Sequence, residues 1–169
     1  MKIPSIVVFC LLTCICFTGN LAAQKKTILL VRHAEKDLSD GADKADPELS
    51  AVGRDRAERL VKKIEKYKPG AIYSTNFKRT RATVEPLAKK RKLELLIYDA
   101  RKLNEIVEQM LKSKTKRFVV AGHSNTIPLL ANLLIKKELF KPLDDSEYAT
   151  IWLIKIKDGK VTEVEILDY

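Results

Sequence analysis

Cysteine is confined to one end of this chain. Its three cysteines are Cys10, Cys14 and Cys16, so everything downstream lacks a thiol for a disulfide framework, a thiolate metal site or cysteine nucleophilic chemistry. Histidine is nearly as scarce, with only His33 and His123. Two imidazoles and no downstream thiolate are too few strong ligands for a zinc site, and the sequence predicts neither a metal nor another cofactor. Aromatic residues make up only 7% of the chain, against a net charge of +10. There is no aromatic stacking motif and no recognisable nucleic-acid-binding helix, and the lysines are spread along the chain. The positive charge therefore reads as solvated helix faces, and nucleic acid is not an expected partner.

Long apolar runs are missing too, with one exception. After Met1-Lys2, residues 3–17 are almost wholly apolar, and Gly19-Asn20-Leu21-Ala22-Ala23 supplies small residues before Gln24. That is the layout of a secretory signal peptide. The expected division is a signal peptide over residues 1–23 and one domain over residues 24–169, exported to the periplasm or beyond. The apolar run falls short of the ~20 residues that cross a bilayer, so no stable membrane insertion is expected once it is removed. A retained anchor is the rival reading. A lipid-attached Cys14 is another, poorly matched by Leu11-Leu12-Thr13 before it.

The remainder alternates between two periodicities. Residues 26–31 form a short apolar run that stops abruptly at Arg32-His33, as a buried strand feeding a functional loop does. Residues 37–48 read as a loop. Leu49, Val52, Ala57, Leu60, Val61 and Ile64 recur at helical spacing, and Pro69-Gly70 ends that helix. Residues 71–74 read as a strand. Residues 77–92 read as a helix that Pro86 should end or kink, and residues 93–98 as a strand. Leu103, Ile106, Val107, Met110 and Leu111 make a further helical stripe. A strand over residues 117–121 runs into Gly122-His123, and residues 125–136 are helical with Pro128 tolerated in the first turn. Two last strands flank Asp158-Gly159, a hairpin turn signal. This order predicts an α/β domain: three layers, with a mostly parallel sheet and a C-terminal antiparallel hairpin at one edge.

Both histidines fall just past a predicted strand, where open α/β sheets bind ligands. His33 follows an arginine directly, and His123 precedes a helix whose N-terminal amides favour an anion. Val31-Arg32-His33-Ala34-Glu35-Lys36 resembles the signature of the histidine phosphatase superfamily, the phosphoglycerate mutase-like family. Three further segments carry the likeness in the same order: Leu49-Ser50-Ala51-Val52-Gly53 with Arg56-Ala57, Tyr73 to Thr80 with Thr83, and Ala121-Gly122-His123-Ser124-Asn125-Thr126. The resemblance implies that His33 is a nucleophile that is transiently phosphorylated, with Arg32, Arg79 and His123 completing a phosphate pocket. The chemistry of the residues agrees with it. Imidazole is a competent nucleophile near neutral pH, and guanidiniums stay charged and donate paired hydrogen bonds to phosphoryl oxygens.

The general acid is not fixed by the resemblance. Ser124 stands where many relatives carry an acidic residue after the second histidine. Asp99, Glu35, Glu105 and the Asp144-Asp145-Ser146-Glu147 segment are the candidates. Asp99 has a competing role as an N-cap for the helix around Leu103, and Glu35 could simply face solvent. A leaving group such as phosphohistidine would need little acid help. The implied partner is a phosphorylated small molecule or a phosphoprotein. The absence of large insertions argues for an open pocket, with residues 137–148 the one loop long enough to shape specificity. A phosphate-binding module of the same fold with lost catalysis, and a protein phosphohistidine phosphatase, are the alternatives.

Overall fold

Strand β1 (Lys25–Arg32) is apolar on both faces, and that dictates the layers. In the computed structural model, which describes residues 24–169, Ile28 and Leu30 enter one core and Leu29 and Val31 the other, all fully buried. A strand buried on both sides must be sandwiched between helices. The segment read as a signal peptide lies outside the described residues.

The other strands are β2 (Ala71–Ser74), β3 (Leu95–Ile97), β4 (Arg117–Gly122), β5 (Thr150–Lys157) and β6 (Lys160–Asp168). They form one sheet in the order β3-β2-β4-β1-β5-β6. The first four are parallel, while β5 runs antiparallel to β1 and β6 antiparallel to β5. Helices α1 (Ala51–Ile64) and α2 (Lys78–Arg91) pack Leu60, Ile64, Val84 and Leu87 on the Leu29 face. Helices α3 (Leu103–Lys112) and α4 (Thr126–Ile135) pack Ile106, Met110, Ile127 and Leu130 on the Ile28 face. The three-layer α/β architecture with its edge hairpin is therefore the one the sequence predicts. Asp158 and Gly159 have φ of 50° and 74°; positive φ at both central residues makes the two-residue turn that matches strand twist.

Two expectations need correction. Of the two outcomes expected at Pro86, ending the helix is excluded, because α2 continues to Arg91. The proline removes one backbone hydrogen bond, at a cost of ~3 kcal/mol in an isolated helix. Burial of Thr80, Thr83, Val84, Leu87 and Ala88 on both sides of it holds the helix together. The strand predicted over residues 93–98 is only Leu95–Ile97. It pairs on one side with the four-residue β2, and the chain leaves the ladder where the Tyr98 amide donates to the Ser74 carbonyl at 3.0 Å.

The start of α1 fixes the loop after β1. Ser50 caps the helix, its hydroxyl accepting from the Gly53 amide at 3.0 Å, and its own amide donates to the Glu35 carbonyl at 2.9 Å. Gly53 lies so close beneath this loop that a Cβ there would sit 2.3 Å from the Glu35 carbonyl oxygen.

Candidate active site

Because β1 and β4 are parallel neighbours with Arg32 opposite Gly122, their carboxyl ends release His33 and His123 side by side. The His33 amide donates to the Gly122 carbonyl at 2.8 Å, and the two imidazole centroids are 5.5 Å apart. That is close enough for both rings to touch a single phosphoryl group.

Each ring is held differently. His33 is 4% exposed, and its Nδ1 lies 2.8 Å from the Ala34 carbonyl. A carbonyl only accepts, so Nδ1 carries the proton and Nε2 keeps the free lone pair. Burial is the main influence on this imidazole. The Ala34 carbonyl opposes it, and the charges of Arg79 and Arg32, with repulsion from His123 once that ring is protonated, add to it, bringing the pKa down to about 3. The ring is neutral at physiological pH, as a nucleophile must be. His123 is lowered to about 4, by burial first and then by Arg79 and Arg32. Its Nε2 is 3.1 Å from the Thr75 hydroxyl, and the Phe77 ring meets it edge-on at 5.1 Å.

Arg32, 2% exposed, is clamped by the loop before β5. Its Nη1 donates to the carbonyls of Asp144 at 2.7 Å, Asp145 at 3.3 Å and Glu147 at 2.9 Å. The Tyr148 ring covers the guanidinium with its centroid 4.1 Å from Cζ. Arg79 leaves the first turn of α2 between Asp46, 3.6 Å from its Nη1, and the Phe77 ring, 4.5 Å from its Cζ. These contacts leave the Nε of Arg32 and the Nε of Arg79 buried without a hydrogen-bond partner. The charges of Arg32 and Arg79 act on both neutral imidazoles, and that combination suits an anion.

Of the acid candidates, Glu35 and Asp99 are both committed to arginines. Glu35 takes a bidentate grip from Arg56, at 2.9 Å from Nε and 2.6 Å from Nη2. Burial raises its carboxyl, but the Arg56 hydrogen bonds outweigh that and hold it below its ordinary value. It does not simply face solvent. Asp99 is gripped by the Arg101 side chain and backbone amide, which hold it at about 2. It does not act as an N-cap, because Lys102 occupies that position of α3. Glu105 is exposed on α3 and pairs with Lys102 at 3.1 Å. Asp144, Asp145 and Glu147 contribute carbonyls to Arg32, with the Asp145 carboxylate 3.5 Å from its Nη2.

The sequence reading missed Thr75, Phe77, Tyr148 and Asp46 as individual site residues. Asp46 both accepts from the Lys78 amide at 2.9 Å, capping α2, and pairs with Arg79. Asp46 lies 32 residues before the amide it accepts from, so no local pattern signals this role. Among the described residues, no group of three or more His, Cys, Asp or Glu is disposed to hold a metal ion, and no helix is long and apolar enough to cross a membrane.

Comparison with known proteins follows the same lines. The model of the histidine phosphatase superfamily (branch 1) matches residues 28–107. No curated protein matches in sequence. Among solved structures, the chain is similar to the protein histidine phosphatase SixA complexed with tungstate, with TM-score 0.67 and 14% identity over 84% of this chain and 96% of that one. It is similar to a mycobacterial glucosyl-3-phosphoglycerate phosphatase with inorganic phosphate, with TM-score 0.66 and 14% identity over 85% and 97% of the two chains. A mycobacterial hydrolase gives TM-score 0.66 and 15% identity over 86% and 99%. At these identities the likeness is one of fold.

Proposed function

From the premise that the chain belongs to the histidine phosphatase superfamily, we propose that it is a phosphomonoesterase working through a phosphohistidine on His33. The observation that carries this reading is the convergence of two imidazoles, 5.5 Å apart at neighbouring strand ends, with the guanidiniums of Arg32 and Arg79, whose charges act on both rings. Two guanidiniums gathered beside neutral rings repel each other, and a phosphoryl group placed among them offsets that repulsion.

In the first step His33 Nε2 attacks phosphorus; the N–P bond forms as the P–O bond to the leaving group breaks. The Ala34 carbonyl holds the Nδ1 proton and takes up part of the positive charge that develops on the ring. Arg32 and Arg79 face the equatorial oxygens, and His123 supplies a further contact where charge builds. In the second step water attacks phosphorus, the N–P bond breaks and phosphate leaves, restoring neutral His33. None of these steps draws on a metal ion.

A second reading is a protein phosphohistidine phosphatase. Its support is that Glu35 and Asp99 are tied to arginines, which favours leaving groups that depart without a donated proton. We also propose that the domain acts outside the cytoplasm, on the strength of residues 1–23.

The deciding experiment is rapid quench under non-acidic conditions with mass spectrometry after mixing with a labelled phosphomonoester. Label is expected on His33, and His33→Ala is expected to lose label and at least a thousandfold, on the order of 4 kcal/mol, in turnover. Label on Ser124, or a His33→Ala enzyme that keeps most of its activity, would remove His33 from the role of nucleophile. Phosphate binding without turnover of any ester would leave a binding module.

A further inference from the structure

We infer that the cavity beside Phe77 takes the leaving group of the substrate, and that this group is a flat aromatic ring carrying the phosphoryl on a weakly basic atom, as in a small aryl phosphate. The inference rests on the phosphatase reading and adds a substrate class to it.

The cavity has a volume of about 600 Å³ and is walled by Phe77, Ile97, Tyr98 and Ala100, with the Asp99–Arg101 pair at its rim. That volume suits a small organic group. It adjoins the phosphate pocket through Thr75 and Phe77, both lining residues, which also touch His123. Phe77 belongs to both spaces: it packs on Arg79 and His123, yet remains 40% exposed. Ile97, also in the lining, is 51% exposed. Two apolar side chains left open to water beside a charged pocket are a surface for a ring to cover. The rim offers no net charge, because Asp99 and Arg101 neutralise each other through hydrogen bonds of 2.8 Å to 3.2 Å.

The chemistry of departure points the same way. Glu35 and Asp99 are engaged by arginines and not free to protonate an alkoxide, whereas a phenolate leaves with its electron pair and takes its proton from water. An apolar ring and a good leaving group are both properties of aryl phosphates.

The test compares phenyl phosphate with 2-naphthyl phosphate, whose leaving phenols are similar in acidity, so that only the cavity separates them. The naphthyl ester is expected to have a kcat/KM about tenfold higher, mostly through KM. Ile97→Asp, at an exposed position that does not threaten folding, is expected to bring the ratio to within about twofold. Equal wild-type values, or an unchanged ratio in the variant, overturn the cavity assignment while hydrolysis of phenyl phosphate leaves the phosphatase reading standing. Calorimetry with 2-naphthylphosphonate and methylphosphonate, neither of which can be turned over, tests the cavity without catalysis. Tighter naphthyl binding that Ile97→Asp abolishes supports the assignment even if no ester is hydrolysed, and equal binding overturns it. A phosphotyrosine peptide hydrolysed far better than either small ester would replace the small aryl phosphate with a protein substrate.

Discussion

The ring of Tyr148 lies 4.1 Å from the guanidinium carbon of Arg32 and 6.3 Å from the ring of His33. It stands at the end of the loop whose carbonyls at Asp144, Asp145 and Glu147 hold Arg32. One segment thus fixes the direction of the arginine from two sides. Tyr148→Leu keeps apolar bulk but removes the π face, worth about 1 kcal/mol toward a cation. Phosphate affinity measured by calorimetry is expected to fall roughly fivefold. Unchanged affinity would mean that the carbonyls alone position Arg32.

The imidazoles tie stability to pH. His33 and His123 have pKa values of about 3 and about 4 in the fold, while in the unfolded chain they titrate near the ordinary value of 6.5. Between these limits the unfolded state binds more protons, so their contribution is fully present above about pH 6.5 and is lost as pH falls toward 4. For His33 the loss between pH 7.5 and pH 5 is about 2 kcal/mol. Urea unfolding at those two pH values is expected to show it, and His33→Gln to reduce it. Saturating phosphate should oppose the loss, because an anion beside the rings favours their protonated forms. Identical pH dependence in wild type and variant would contradict the burial of a neutral His33.

Gly53 is expected to be intolerant for a reason opposite to helix propensity. Inside an exposed helix Gly→Ala gains about 1 kcal/mol. Here the new methyl would lie 2.3 Å from the Glu35 carbonyl oxygen, with backbone rather than a flexible side chain in the way. Gly53→Ala is expected to cost about 2–3 kcal/mol in thermal or denaturant unfolding. It should also lower phosphate affinity, since the loop it displaces follows His33 directly. A neutral or stabilising effect would show that α1 can move away freely.

The export proposal is tested by the mass of the N-terminal peptide from protein made in a cell that secretes it. A mature start at or near Gln24, recovered outside the cytoplasm, is the expected result. An intact Met1 in a cytoplasmic fraction would contradict it.

Much of the fold was legible because its signals are local. Runs such as residues 117–121, short and largely apolar, fit a buried strand, and the stripe from Leu103 to Leu111 has one helical face. Pro86 does not end its helix for a physical reason: its cost is intrinsic to the chain, whereas the packing of Val84 and Leu87 that offsets it comes from the other layers. Asp99 was read as a cap or an acid, because a sequence does not display the Arg101 guanidinium folding back onto it.

What the sequence determined by itself was the alternation of strands and helices, and the placing of Arg32-His33 and Gly122-His123 at strand ends. These depend on side-chain periodicity and on residues adjacent along the chain. Tertiary structure alone decided that β1 and β4 are neighbours, so that the two imidazoles lie 5.5 Å apart. It decided that a loop more than a hundred residues away clamps Arg32. It also left the Nε atoms of Arg32 and Arg79 without partners. Partner choice across such distances follows from how the layers pack and which donors they enclose, and a linear pattern carries no record of that.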